Sequence, residues 1–276
     1  RALALGERTL LMGILNVTPD SFADGGRYRD AAHAVDVALS LIAEGADLLD
    51  VGGESTRPGA APVAAEDERR RVLPVIEALS RQTSIPISID TYKADVAAAA
   101  LDAGAVIVND VSGLAGDAAM AATVAGRRAA LVLMHNRGRS DAMYARAQYG
   151  EVVAEVGAEL EAGVALAEAA GVARERIVLD PGIGFAKRAE DSLRLVARLD
   201  DAVFAALDRP LLLGPSRKSF LRVGLGDRPP GEREWGTAAA VTACILAGAH
   251  IVRVHGVEVM LQVARVADSI LAAREA

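Results

Sequence analysis

One cysteine and very few aromatic side chains stand in a chain of 276 residues, and both scarcities narrow what it can be. Cys244 alone cannot form an internal disulfide, which fits a reducing compartment. It lies in the apolar stretch 238–247, so a buried helical thiol is expected there rather than a nucleophile. Aromatics are 3% of the residues, too few for the stacking platforms that hold single-stranded nucleic acid. Positive charge is in deficit as well. The net charge of −7 argues against a general polyanion binder, so an anionic substrate needs a local cationic pocket. No uninterrupted apolar run approaches the roughly 20 residues of a membrane span, and no signal-peptide pattern opens the sequence. A cytoplasmic protein with no membrane or nucleic-acid partner is expected. Cys/His metal clusters, a Ser-His-Asp pattern and a Walker loop are missing too.

What is present is repetition. Hydrophobic residues make up 52% of the chain. They concentrate in short Leu-, Val- and Ile-rich runs at 10–15, 48–51, 85–89, 106–108, 131–134, 177–179, 211–213 and 251–254. Near-continuous apolar runs, rather than alternation, indicate strands covered on both faces, as in a parallel sheet. Amphipathic stretches lie between them. Residues 31–43 place Ala34, Val35, Ala38, Leu39 and Ile42 on one helical stripe. Gly45, Gly104, Gly171 and Gly248 each close such a stretch just before an apolar run, where a left-handed backbone ends a helix. These are repeated βα units.

Each strand runs into its own polar cluster: Asn16–Phe22, Asp50–Gly59, Asp90, Asn109-Asp110, Met134-His135-Asn136, Asp180-Pro181-Gly182, Ser216–Ser219 and Arg253-Val254-His255. Eight strands ending in polar chemistry predict a closed (β/α)8 TIM barrel with one shared mouth. No linker or composition break divides the chain, so residues 1–276 are expected to form one domain. The Gly-, Pro-, Ser- and Thr-rich connections after strands one (16–29) and two (52–64) read as long functional loops. A doubly wound open sheet is the alternative, but Gly13-Ile14-Leu15-Asn16 offers no dinucleotide fingerprint after strand one.

If the barrel closes, Arg57, Lys218, Arg253 and His255 converge on an anion. The plainer reading of a strand-end arginine is a pair with a neighbouring carboxylate. Asn16 can offer a neutral oxygen to a hard cation such as Mg²⁺, or merely form a turn. Asp90, Asn109 and Asp180 would face the mouth, where two carboxylates and an amide can read a flat, N–H-rich heterocycle. Alternatively Asp90 caps the helix after it and Asp180 starts a turn. The long stem of Lys218 can lie over a ring while its ammonium reaches a carbonyl. Ser219 is expected near a helix start that attracts a carboxylate. Phe22, Pro58 and Phe185 can wall that spot, or simply pack in the core. His33 reads as surface, His250 as a strand start away from the mouth, and His135 as the end of strand five, either structural or near the site. The run Glu66–Arg71 reads as a solvated helix start.

Taken together, GILNVTPDSF (13–22), DVGGESTRPG (50–59), Ile89-Asp90-Thr91, VNDVS (108–112), DPGIGFAK (180–187), SRKS (216–219) and Arg253-Val254-His255 resemble the bacterial dihydropteroate synthase family. The resemblance spans essentially the whole chain. It implies a TIM-barrel transferase of folate biosynthesis, usually a homodimer and the target of sulfonamides. Such an enzyme condenses 6-hydroxymethyl-7,8-dihydropterin diphosphate with p-aminobenzoate and releases pyrophosphate. By match, Asp90, Asn109, Asp180 and Lys218 would hold the pterin, with Arg253 near it. Asn16 would ligate Mg²⁺ at the diphosphate, which Thr56, Arg57, Arg253 and His255 would bind. Phe22, Pro58, Phe185, Lys218 and Ser219 would form the p-aminobenzoate site. Asp90, Arg57, Lys218, Arg253 and His255 would then be the catalytic set. Pro215 before SRKS and Glu190-Asp191-Ser192 depart from the commoner pattern. A pterin-binding methyltransferase domain shares the barrel but has no need of the diphosphate residues. A pterin-binding paralogue without turnover is the non-enzymatic alternative.

Overall fold

The computed structural model describes residues 3–18, 31–56, 59–138, 144–145 and 147–275. Within them eight strands form one parallel sheet: β1 (Leu10–Asn16), β2 (Leu48–Gly52), β3 (Ile87–Asp90), β4 (Ile107–Asp110), β5 (Ala130–Met134), β6 (Ile177–Asp180), β7 (Leu212–Leu213) and β8 (Ile251–Val254). Their order is β6-β5-β4-β3-β2-β1-β8-β7. A parallel bridge between Leu179 and Leu211, with the Leu179 amide donating to the Pro210 carbonyl at 2.9 Å, joins the two ends. The sheet is therefore a barrel, as the alternation of apolar runs and helices requires.

The helices α1 (Ala31–Ala43), α2 (Ala65–Gln82), α3 (Ala94–Asp102), α4 (Met120–Gly126), α5 (Val152–Ala169), α6 (Ala189–Ala197), α7 (Ala202–Leu207), α8 (Arg222–Leu225), α9 (Glu234–Leu246) and α10 (Val257–Glu275) succeed the strands in chain order. Two apolar regions result. A small one fills the lower barrel with Leu10, Met12, Leu48, Val132, Leu212 and Ile251. A larger one lies between strands and helices and takes the neighbouring residues, Leu11, Leu49, Val108, Leu133 and Val252 among them. That division explains the continuous apolar runs: alternate residues face different cores, and both are dry. All four helix-to-strand glycines have positive φ, at 107°, 120°, 96° and 100° for Gly45, Gly104, Gly171 and Gly248. A side chain at Gly104 would also place its Cβ 2.5 Å from that of Ser80, so this turn tolerates neither the conformation nor the bulk of another residue.

Several local expectations need adjusting. Strand three starts at Ile87 rather than Ile85, because Pro86 has no N–H to give the ladder. Asp90, Asn109 and Asp180 lie within their strands, since ladder bonds reach them: the His135 amide donates to the Asp180 carbonyl at 2.8 Å. On α1 the buried residues are Ala34, Val35, Ala38 and Leu41, with Leu39 and Ile42 half-buried at its edge. Glu68 does not lie on a solvated helix face. It is 1% exposed and turned inward to pair with Lys93, which also holds Glu54 on the loop after β2. A further long connection, 135–151, links β5 to α5. Cys244 is buried in the α9 core as expected, its thiol pushed up to about 12 by burial. Among the described residues no helix is long and apolar enough to cross a membrane.

Candidate active site

Register assembles the site. Asn16 pairs with Gly52, Gly52 with Asp90, and Asp90 with Asn109, so four adjacent strand ends stand side by side at the carboxyl rim. Parallel partners point to the same face, and here that face is the barrel interior. Two residues below Gly52 on the same face is Asp50, fully buried. Across the barrel Arg253 reaches in from β8. Its Nε donates to Asp50 Oδ2 at 2.6 Å and its Nη2 to Asp90 Oδ2 at 2.8 Å. The Asn109 amide donates to the same Asp50 oxygen at 2.9 Å. One guanidinium thus ties three strands into a single polar layer above the apolar one.

Gly52 leaves room in that layer. A Cβ there would lie 3.7 Å from both Asn16 Oδ1 and Asp90 Oδ2, so the two oxygens border a shared space. Hard oxygens of this kind suit Mg²⁺. Among the described residues no group of three or more His, Cys, Asp or Glu side chains is assembled for a metal. Asp50 Oδ1, Asp90 Oδ1 and Asn109 Oδ1 are buried with no hydrogen-bond partner. Three orphaned acceptors in one layer are expensive unless a ligand brings donors. Burial pushes the Asp90 carboxyl up to about 7 against the pull of Arg253. Burial also draws the Arg253 guanidinium down, but Asp50 and Asp90 outweigh it and the group is raised.

The other half of the rim comes from β6, β7 and β8. Asp180 is buried; one of its oxygens accepts from the Gly182 amide at 2.7 Å. Burial raises its carboxyl and Lys218 opposes this. Burial draws the Lys218 ammonium down to about 8, with Asp180 acting against it. The Lys218 Nζ donates to the Ile183 carbonyl at 2.6 Å and lies 4.4 Å from the centre of the Phe185 ring. Gly214 keeps this corner open, because a Cβ there would be 3.7 Å from both Lys218 Nζ and Arg253 Cβ. His255 packs on Ser216, whose Oγ lies 2.9 Å from Nδ1 and 3.3 Å from the His255 amide. The His255 amide donates to that Oγ, and the same hydroxyl meets Nδ1, so Ser216 fixes the orientation of the ring.

The structure brings Asn16, Asp90, Asn109, Asp180, Phe185, Lys218 and Arg253 to this rim, with His255 beside it. Asp180 and Arg253 open on the same end of the barrel and act on each other electrostatically. Asp90 does not cap α3, whose first amide, at Ala94, is met by Asp117 at 3.0 Å. Asp180 does start a turn, by accepting from the Gly182 amide, and its carboxyl also interacts electrostatically with Lys218 and Arg253 at the rim. Thr56 is half-buried on the loop after β2. Ser219 is exposed, and it opens only a single 3-10 turn and the four-residue α8, too short for the helix-end field expected there. Arg57, Pro58 and Phe22 lie outside the described residues. His135 is buried behind the rim, and His250 accepts from the Leu211 amide at 3.2 Å at the far end. Sequence reasoning missed Asp50, Ser216 and Lys187. Asp50 and Lys187 fall within the quoted motifs, but strand parity hid the role of the first, and the partner of the second, His135, is 52 residues away.

Residues 12–255 match the protein family described as pterin binding enzyme. The dihydropteroate synthase of Synechocystis sp. is 46% identical, over 96% of this chain and 91% of its own length. Among solved structures, the dihydropteroate synthase of Clostridium difficile, determined in the presence of pteroic acid, has a TM-score of 0.91 and 42% identity, covering 98% of this chain and 99% of that one. That of Yersinia pestis, in complex with a sulfonamide drug, has a TM-score of 0.92 and 36% identity, covering 100% of this chain and 98% of that one. The chain belongs to the pterin binding enzyme family and, within it, to the dihydropteroate synthases.

Proposed function

We propose that this protein condenses 6-hydroxymethyl-7,8-dihydropterin diphosphate with p-aminobenzoate, forming 7,8-dihydropteroate and pyrophosphate. The observation that carries the reading is the layer of orphaned acceptors on Asp50, Asp90 and Asn109 beside Asp180. A pterin edge, with its ring N–H and exocyclic amine, supplies the donors that these oxygens lack. Lys218 would cover the ring and reach its carbonyl oxygen. Arg253 and His255, with Thr56 and Arg57 from the loop after β2, would bind the diphosphate. Phe185 and Lys218, with Phe22, Pro58 and Ser219, would hold p-aminobenzoate, and sulfonamides would compete there.

In the reaction the C–O bond to the diphosphate breaks, a C–N bond to the arylamine forms, and the amine nitrogen sheds a proton. Positive side chains meet the charge that builds on the leaving pyrophosphate, an effect worth several kcal/mol in such sites. Mg²⁺ held by Asn16 would add charge neutralisation at the same oxygens. Asp90 would favour positive charge on the pterin methylene, so departure can precede attack and no strong general base is needed. Residues 1–276 would act as one domain of a cytoplasmic homodimer. α10 supports the dimer with exposed apolar residues Val259, Val266 and Ile270, and α9, which packs on α10, exposes Trp235. Sedimentation that finds only monomer at micromolar concentration would remove that part. Pyrophosphate release with both substrates, with and without Mg²⁺, tests the activity; none with both present refutes it.

A further inference from the structure

Lys187 is the largest of the fully buried side chains, 1% exposed, on the connection from β6 to α6. Among the described residues its ammonium meets no carboxylate. Nζ instead donates to His135 Nδ1 at 2.8 Å and to the carbonyls of Gly182 and Phe185 at 3.1 Å each, with the His135 carbonyl at 3.4 Å. Burial draws this ammonium down to about 7, with Asp180 acting against it; a buried cation is costly, so the loop backbone is organised around it. Gly182, Gly184 and Ala186 have φ of 70°, 79° and 46°, so the loop bends at alternate residues, and the Gly182 and Phe185 carbonyls reach Nζ. A Cβ on Gly182 would sit 2.0 Å from the His135 carbonyl oxygen, so backbone touches backbone there. Ala186 bears a left-handed strain of about 1 kcal/mol or more, which the cage must offset.

The other side of this loop faces the rim. Its Gly182 amide fixes Asp180, its Ile183 carbonyl takes the Lys218 ammonium, and its Phe185 ring lies beneath that ammonium. Two lysines therefore grip one loop from opposite sides. The inner grip continues outward. His135 accepts at Nδ1, so its proton is on Nε2, which donates to Glu159 Oε2 at 3.0 Å on α5. Burial, then Lys187, holds His135 far below its ordinary range, at about 3, so it is neutral. Arg137 Nε in turn donates to Glu159 Oε1 at 3.0 Å.

We propose that Lys187 is a positioning residue: its carbonyl cage sets the 181–188 loop so that Phe185 and Lys218 form the p-aminobenzoate pocket, with His135 and Glu159 buttressing the cage from α5. This rests on the dihydropteroate synthase reading of the site. Steady-state pyrophosphate release with each substrate varied tests it. Lys187→Met raises the p-aminobenzoate KM at least tenfold, and this rise exceeds any change in kcat or in the KM for the pterin diphosphate at least threefold, because Asp180 and Lys218 keep their other partners in the barrel rim. An unchanged p-aminobenzoate KM, or an equal loss in all three parameters, overturns the proposal. Glu159, 44% exposed, serves if Lys187→Met does not fold. Glu159→Ala then raises that KM at least threefold, and Glu159→Gln, whose amide oxygen still accepts from Nε2, restores it; no change in Glu159→Ala overturns the proposal. Wild-type protein assayed in parallel separates the two claims. An inactive wild type defeats the functional reading and this inference with it, whereas an active wild type with unaltered variants defeats the inference alone.

Discussion

Replacing Asp50 by asparagine perturbs the centre of the polar layer while keeping its shape. The carboxylate holds Arg253 Nε at 2.6 Å and the Asn109 amide at 2.9 Å through one oxygen. An asparagine oxygen in that place can keep both contacts, but it has no charge, and its amide puts a donor where the second, unpartnered acceptor stood. Arg253 would then depend on Asp90, its remaining carboxylate. A hydrogen bond to a charged group contributes about 1.5–3 kcal/mol, of which a neutral substitute recovers part. A loss of about 2 kcal/mol from the transition state corresponds to a fall of about 30-fold in kcat/KM. Asp50→Asn should therefore lose pyrophosphate release by about that factor. Its fold should survive, because Arg253 keeps one partner and no cavity opens. The measurement is kcat/KM for the pterin diphosphate at saturating p-aminobenzoate, beside the denaturant midpoint. A folded variant within threefold of wild type would show that Asp50 does not orient Arg253 and Asn109 for substrate.

Two other outcomes arise from the same layer. The Asp90 carboxyl is raised to about 7 in the folded protein, so the native state keeps a proton that the unfolded chain has lost above about pH 4. Its stabilising contribution is complete below that range and disappears as pH rises through 7; urea midpoints of wild type should fall relative to Asp90→Asn between pH 4 and 7, and parallel curves would contradict the shift. Ser216 fixes the His255 ring at 2.9 Å, and losing that bond is worth about 1 kcal/mol, or roughly fivefold. Ser216→Ala should raise the KM for the pterin diphosphate by that amount and leave the p-aminobenzoate KM alone, while an equal rise in both would place the serine elsewhere in the mechanism.

The barrel was legible in the residues because its causes are local. Eight apolar runs need cover on both faces, four glycines stop helices, and each run ends in polar residues that only a wet rim can host. The motif order was equally plain, since Asn16, Asp90, Asn109, Asp180 and Arg253 each sit at the carboxyl end of a run. Which residues face inward was not legible. In a continuously apolar strand nothing in composition separates Met12 from Leu11, yet one fills the barrel and the other the helix layer. Strand register and closure decide that parity, and with it the fate of Asp50.

Charge pairing divides in the same way. The sequence by itself determined that cations and carboxylates would meet at one mouth, because strand ends of a parallel barrel share one side. Only the tertiary structure decided that Arg253 spans to Asp50 and Asp90, more than 160 positions away, and that Glu68 leaves a charged surface run to pair with Lys93. It alone placed the buried Lys187 against His135, 52 residues distant. The physical reason is that burial sets the cost of a charge, and burial is a property of the closed barrel, in which residues far apart in sequence must supply each other's partners.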